Sequence, residues 1–411
     1  MSFFEKMRPT RSALMAGTGV AAFTWLTLAV YSHFHDDAPP DMSAFDAPPA
    51  TALEAQAKAE WDAKNGHLRP KTGGVPFVTY LHRASKMRDQ IRKSLTTWGP
   101  WLAEWERFAE TTPNFHAYAG QGPNAWDHNY ASRLMRARAA LSLLEGTEDE
   151  AYEALSKLYR NLRREIEAPQ SCRTMGNRGL RELEWAEELL LEAALRAKSP
   201  MAAERVLALY LPDEDELIRR FEQAAPYDRH ETKLELEQAM KTPPPDFPSD
   251  FPTGQADWEK VGEAVSGRWE KANLLPNATL QELLRRQRTA PREGLAHAPG
   301  AYFGEPSFWE RNYAGHRLAA APQRMQRFQL ARRRIHEIGR AAVRHTWQSG
   351  AAAPAALADL ELPATTLTNP YTGKPFRYDP AARRIFLDLD EKRTLPEPSW
   401  PLPVRTATPA P

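Results

Sequence analysis

The chain has 411 residues, room for two to three domains at ~100–200 residues each. Lys plus Arg number 54 against 53 Asp plus Glu, and this net charge of +1 argues against a general nucleic-acid binder. A mean hydropathy of −0.61 excludes a multi-span membrane protein, and a single Cys excludes a disulfide framework or a Cys-built zinc cage.

In chain order, the first element is a 23-residue uncharged run, Ser12 to Phe34 (SALMAGTGVAAFTWLTLAVYSHF). Its apolar heart, Ala13 to Tyr31, is long enough at ~1.5 Å per residue to cross a ~30 Å hydrocarbon layer. Lys6, Arg8 and Arg11 precede it and Asp36 and Asp37 follow, so the positive-inside bias places residues 1–11 in the cytoplasm and the body outside. A cleaved signal peptide is the competing reading, but YSHFHDD is a poor cleavage site, so an uncleaved anchor is preferred. Ala13, Gly17 and Ala21 form a small-residue stripe through which two such helices could pair as a homodimer; small residues are also common in any membrane helix.

Residues 36–50 (DDAPPDMSAFDAPPA) read as a Pro-rich, semi-rigid spacer. Residues 51–241 read as a helical lobe, a bundle or irregular solenoid without a fixed repeat period. Start signals are explicit: a capping box at Thr147–Glu150, a cap and first-turn proline at Ser199-Pro200, and an acidic start at Asp213–Glu216. Leu183, Ala186, Leu190, Ala193 and Ala197 recur at helical spacing, and Glu184, Glu187, Glu188 and Glu192 read as a solvated face of that helix, paired with Arg181, Arg196 and Lys198. Residues 242–254 carry five prolines and mark a break. The second lobe, 255–390, opens helical, with Thr279–Glu282 as a cap. It continues in a long helix from Pro322 to about Gln348 and ends in two short strands, FRYD and IFLDLD. Residues 391–411 read as a disordered Pro-rich tail.

Three boxes stand in order: LLPNATLQELLRR (274–286), RNYAGHRLAAAP (311–322) and LTNPYTGKPFRYD (367–379). Together they resemble a broad group of bacterial single-pass envelope proteins with no established activity, which look predominantly helical and close on a hairpin. The resemblance covers mainly 274–390. The last box also looks like the C-terminal loop of major pseudopilins, but Asn369 stands where that pattern has Asp and no prepilin leader precedes it, so only a helix-loop-hairpin shape is implied. Read physically, Asn369-Pro370 starts a turn, Gly373 supplies positive φ, and Pro375 forces an extended entry into a strand.

Chemistry is sparsely signalled. No GxSxG, Walker loop, HExxH or CxxC is present, and Cys172 beside Arg173 names no partner histidine, which favours a buried thiol. Asp127-His128 is one candidate acid/base pair, against a plain helix start with Trp126 packing. His230 and Glu231, with Glu235 one turn on, are a second, against a solvated helix start. Arg324, Arg327, Arg332, Arg333, Arg334, Arg340 and Arg344 crowd one helix against Glu337 alone. Either Arg324, Arg327 and Arg334 meet an acidic partner or anionic lipid, or the arginine stems cover a core helix and pair with first-lobe carboxylates.

The expectation is a mainly α protein: an N-terminal transmembrane helix, a bundle or irregular solenoid, and a small C-terminal β-hairpin. It would sit in the bacterial inner membrane with its body in the periplasm, as a non-enzymatic interaction scaffold or accessory of an envelope process. Its partners would be other envelope proteins, with no cofactor, no metal and no nucleic acid. The rival readings are an envelope hydrolase using a His/carboxylate pocket, and a secretion or pilus accessory.

Overall fold

The computed structural model describes residues 20, 23, 24, 27, 36–48, 50–65, 70, 76–78, 80–112, 125–243, 246, 255–272, 274–288, 314–350, 353–388 and 399–402. These residues are mainly helical, with one small antiparallel sheet. Of the segment 12–34 only Val20, Phe23, Thr24 and Thr27 are described, all helical, and Ala13, Gly17 and Ala21 lie outside the described residues. Among the described residues no helix is long and apolar enough to cross a membrane.

The chain forms two compact units. The larger takes its described residues from 47–228 and 322–402, the smaller from 20–46, 229–288 and 314–321. The helices of the larger unit are α1 (Ala50–Asn65), α2 (Leu81–Lys86), α3 (Arg88–Thr111), α4 (Ala125–Glu145), α5 (Glu148–Glu167), α6 (Cys172–Met175), α7 (Arg181–Arg196) and α8 (Pro200–Leu207). Helix α9 (Glu214–Lys241) gives residues to both units. Helices α10 (Gln255–Ala272) and α11 (Pro276–Arg288) belong to the smaller, and α12 (Ala314–Ser349) again serves both.

The start signals act as read. Glu150 N donates to Thr147 Oγ1 at 3.2 Å while Thr147 N donates to Glu150 Oε2 at 2.6 Å, opening α5. Ser199 accepts from Ala202 N ahead of Pro200 in α8, and Asp213 Oδ1 accepts from Glu216 N at 2.6 Å to open α9. Two expected starts move. Asp228–Glu231 lies in the middle of α9 rather than at a helix start, because Pro226 sits inside the helix without ending it. Likewise α12 begins at Ala314, eight residues before Pro322. A proline removes one i→i−4 hydrogen bond, and side-chain packing on both sides can carry the helix past it.

The main core packs α1 through α9 around Trp61, Trp105, Tyr159, Leu134, Leu158, Leu189, Leu190 and Phe221. Trp61, Trp101, Trp105 and Phe108 form an aromatic cluster, with Trp61 edge-on to Trp105 at 5.2 Å. A second core joins Ile335, Ile338 and Ala342 of α12 to the sheet through Phe376, Ile385, Leu387 and Leu402.

In the sheet, β1 (Arg377–Asp379) pairs antiparallel with β2 (Arg384–Phe386), Tyr378 facing Ile385. The tail then supplies a third strand, β3 (Ser399–Pro401), antiparallel to β2 with Trp400 opposite Ile385. Residues 399–402 of the tail expected to be disordered are therefore ordered, because Leu402 is buried and its amide reaches Arg383 O at 2.7 Å. The loop before β1 follows its sequence closely. Tyr371 N donates to Asn369 Oδ1 at 2.9 Å, Asn369 Nδ2 donates to Asp388 O at 2.8 Å, and Gly373 has φ 66°.

In the smaller unit the segment 36–46 is docked and is no free spacer. Asp36 accepts from the Asn277 and Ala278 amides (3.3 and 3.1 Å) at the N-terminus of α11. Arg229 Nε donates to Ala44 O at 2.7 Å, and Phe45 is fully buried beside Leu236, Leu280 and Leu283. Asp36 thus caps α11 in place of Thr279, which lies inside the helix and donates back to Leu275 O.

Candidate functional site

Helix α4 carries His128, Ser132 and Arg136 four residues apart, so all three fall on one face. That face is buried against α5 and α7. Glu165 of α5 accepts from Asn161 Nδ2 at 3.2 Å and Ser132 Oγ at 3.4 Å, and His128 Nδ1 lies 3.5 Å from the same oxygen. Arg136, fully buried, places Nε 3.2 Å from Glu182 Oε2 of α7. Burial pushes the Glu182 carboxyl up to about 7, Arg136 acting the other way and Glu165 adding to the rise.

A second polar layer joins α7 to α12. Arg340 Nε meets Glu187 Oε2 at 3.0 Å while its Nη2 takes the other oxygen, a two-pronged buried pair. Tyr159 OH donates to Glu187 at 2.7 Å, and Arg340 Nη1 donates to Leu207 O at 2.9 Å. Burial would raise the Glu187 carboxyl, but Arg340's charge and hydrogen bonds outweigh it and hold Glu187 below the usual glutamate value. His336, buried nearby, is pulled below the usual histidine value by burial, Glu187 and Glu184 opposing. Glu184 pairs with Arg332 at 2.6 Å and accepts from Trp400 Nε1 at 3.2 Å. Burial, with Glu184, Glu187 and Glu192 nearby, pushes Glu188 up to about 7.

These contacts correct the reading of α7 as a solvated face. Glu182 and Glu187 are buried and Glu184 and Glu188 half-buried, because α4, α5 and α12 cover the helix on several sides. Along α12, Arg334 bonds Glu214 Oε1 at 2.6 Å and Thr368 O at 2.7 Å, and Arg344 bonds Glu204. Arg327 and Arg334 are buried, which leaves Arg324 as the exposed one of the three arginines expected to meet a partner. First-lobe carboxylates claim Arg332, Arg334, Arg340 and Arg344, the other outcome the sequence allowed.

The acid/base candidates have structural work. Asp127 accepts from Trp61 Nε1 at 3.0 Å, tying α1 to α4, and His128 stands edge-on to Trp105 at 4.6 Å. His230 Nδ1 lies 3.1 Å from Phe45 O and helps seat the 36–46 segment, with Glu231 following on the same helix. Asp127 and His128 belong to the larger unit, His230 and Glu231 to the smaller. Among the described residues no group of three or more His, Cys, Asp or Glu is arranged to hold a metal. Cys172 is buried, its Sγ 3.4 Å from Gln326 Nε2 and its amide donating to Asp228. Sequence reasoning missed Arg136 and Glu182; the one available signal was the four-residue spacing of His128, Ser132 and Arg136.

Comparisons with protein-family profiles, with curated proteins and with solved structures return no match to this chain.

Proposed function

We propose that this protein is a single-pass inner-membrane protein whose helical body, on the outer side, acts as an interaction scaffold or accessory of an envelope process. One observation carries the membrane part. In the uncharged N-terminal run, Val20 and Phe23 are 67% and 72% exposed on a helix. On that helix the Thr24 and Thr27 hydroxyls donate back to the Val20 and Phe23 carbonyls at 2.8 Å. Apolar side chains turned outward and hydroxyls satisfied within the helix suit a lipid-facing surface. The scaffold part is supported by the use of the polar clusters as ties between helices: Asp127 to Trp61, Glu187 to Arg340, His230 to the Phe45 carbonyl.

The test is a periplasm-dependent phosphatase fused after Pro411, with membrane extraction at alkaline pH. An active fusion that stays with the membrane supports the reading. An inactive fusion, or release into the supernatant, overturns it. Crosslinking from intact membranes should then recover a defined envelope partner. Recovery of none, together with loss of phenotype in His128→Ala, would replace the scaffold with an enzyme.

A further inference from the structure

Arg136 is fully buried, and among the described residues none of its guanidinium nitrogens has a hydrogen-bond partner. Glu182 stands 3.2 Å from Nε, but no hydrogen bond forms between them. Native proteins rarely bury a guanidinium this way, because it stays charged and must be compensated. Its neighbours sharpen the problem. The Phe77 and Trp185 rings meet edge to face at 4.7 Å, and three guanidiniums lie against this ring pair. Arg133 and Arg136 each lie 5.1 Å from Phe77, Arg136 lies 4.5 Å from Trp185, and Arg181 lies 5.1 Å from Trp185. Arg136 is buried, Phe77, Trp185 and Arg133 are half-buried, and Arg181 is exposed.

Among the described residues the charges around Arg136 do not balance. Three guanidiniums couple to Glu182, and Glu165 is the other carboxylate that acts on it. Glu182 itself is pushed up to about 7, so near neutral pH it carries only part of a charge. Water can supply hydrogen bonds to Arg136 but not the missing negative charge. A carboxylate or phosphate supplies both, since two parallel oxygens match the guanidinium fork. The rings give such a group apolar walls and hold the arginines by cation–π contact.

We propose that Arg133, Arg136 and Arg181, framed by Phe77 and Trp185, form a binding site for an oxyanion, a carboxylate or phosphate group, which completes the buried Arg136. Phe77, on the short segment 76–78 outside any helix or strand, covers Arg133 and Arg136, and swinging it aside gives the anion its path. Glu182 then competes with the anion for Arg136.

The experiment titrates the full-length protein in neutral detergent with sodium phosphate in one arm and sodium acetate in the other, against sodium chloride of equal ionic strength. Melting temperature and tryptophan fluorescence are read. One arm should give a saturable rise in melting temperature beyond chloride, with a parallel fluorescence change. Arg181→Gln, an exposed change that leaves folding intact, should weaken the apparent affinity about tenfold, the loss of one charge-assisted contact. Glu182→Gln should strengthen it by a similar factor, and Arg136→Met should abolish it. No saturable effect in either arm overturns the site. So does an effect that Arg181→Gln and Glu182→Gln leave unchanged, which would mean a general salt response.

Discussion

Replacing Arg340 by Met tests how the larger unit is held together. Met fills most of the aliphatic volume, so little cavity forms, but Glu187 is left 1% exposed with only the Tyr159 hydroxyl. Removing one partner of a buried pair costs ~3–5 kcal/mol, because the remaining charge is uncompensated. The carbonyls of Leu207 and Leu209 also lose their donor, at ~1 kcal/mol or more. The expected loss of ~4–6 kcal/mol is comparable to the whole stability of a domain, ~5–15 kcal/mol. Urea unfolding of the full-length protein in detergent, followed by tryptophan fluorescence, measures it. Glu187→Gln in the Arg340→Met background removes the stranded charge and should recover about 2 kcal/mol or more. Because Glu187 is held below its ordinary value, the pair's contribution is present above the usual glutamate range and is lost as pH falls through the depressed one. A loss below ~1 kcal/mol in Arg340→Met, or no recovery in the double variant, would refute the claim that this pair binds α7 to α12.

Two further outcomes are expected. Glu188 rises from its ordinary 4.5 to about 7, so the folded state holds its proton more tightly and stability falls as pH climbs through that window. Glu188→Gln should flatten the fall and unfold at higher urea than wild type at pH 8, by ~1–3 kcal/mol, and parallel pH profiles would contradict it. Asp36→Ala removes the cap from α11 and should cost the smaller unit ~0.5–2 kcal/mol. Hydrogen exchange at the Asn277 and Ala278 amides should accelerate, and unchanged protection would mean that Asp36 does not hold the helix.

Local signals were the legible part. Thr147–Glu150 and Ser199-Pro200 start their helices because the bonds involved span three residues, and Asn369 to Gly373 form their turn for the same reason. What failed to read through was decided by distant partners. Thr279 looks like a cap, yet Asp36, 241 residues away from Asn277 in sequence, takes the role. The stretch around His230 and Glu231 and the residue Pro322 look like helix starts, yet packing carries α9 through Pro226 and α12 through Pro322.

The carboxylates of α7 and the arginines of α12 show the division most plainly. Their residue types and spacing were visible in the chain, and so was the option that they would pair. Which option holds depends on α12 returning to α7 over about 150 residues, so that Glu187 meets Arg340 and Glu184 meets Arg332. The sequence by itself determined helix content, the local caps, the closing turn and the uncharged N-terminal run, because these follow from propensity and short-range hydrogen bonding. Only the tertiary structure decided which charges are buried, that the 36–46 segment is docked, and that Arg136 lies against two rings with no hydrogen bond among the described residues. Burial and pairing are properties of the surfaces that meet, and one helix's pattern does not name the surface it meets.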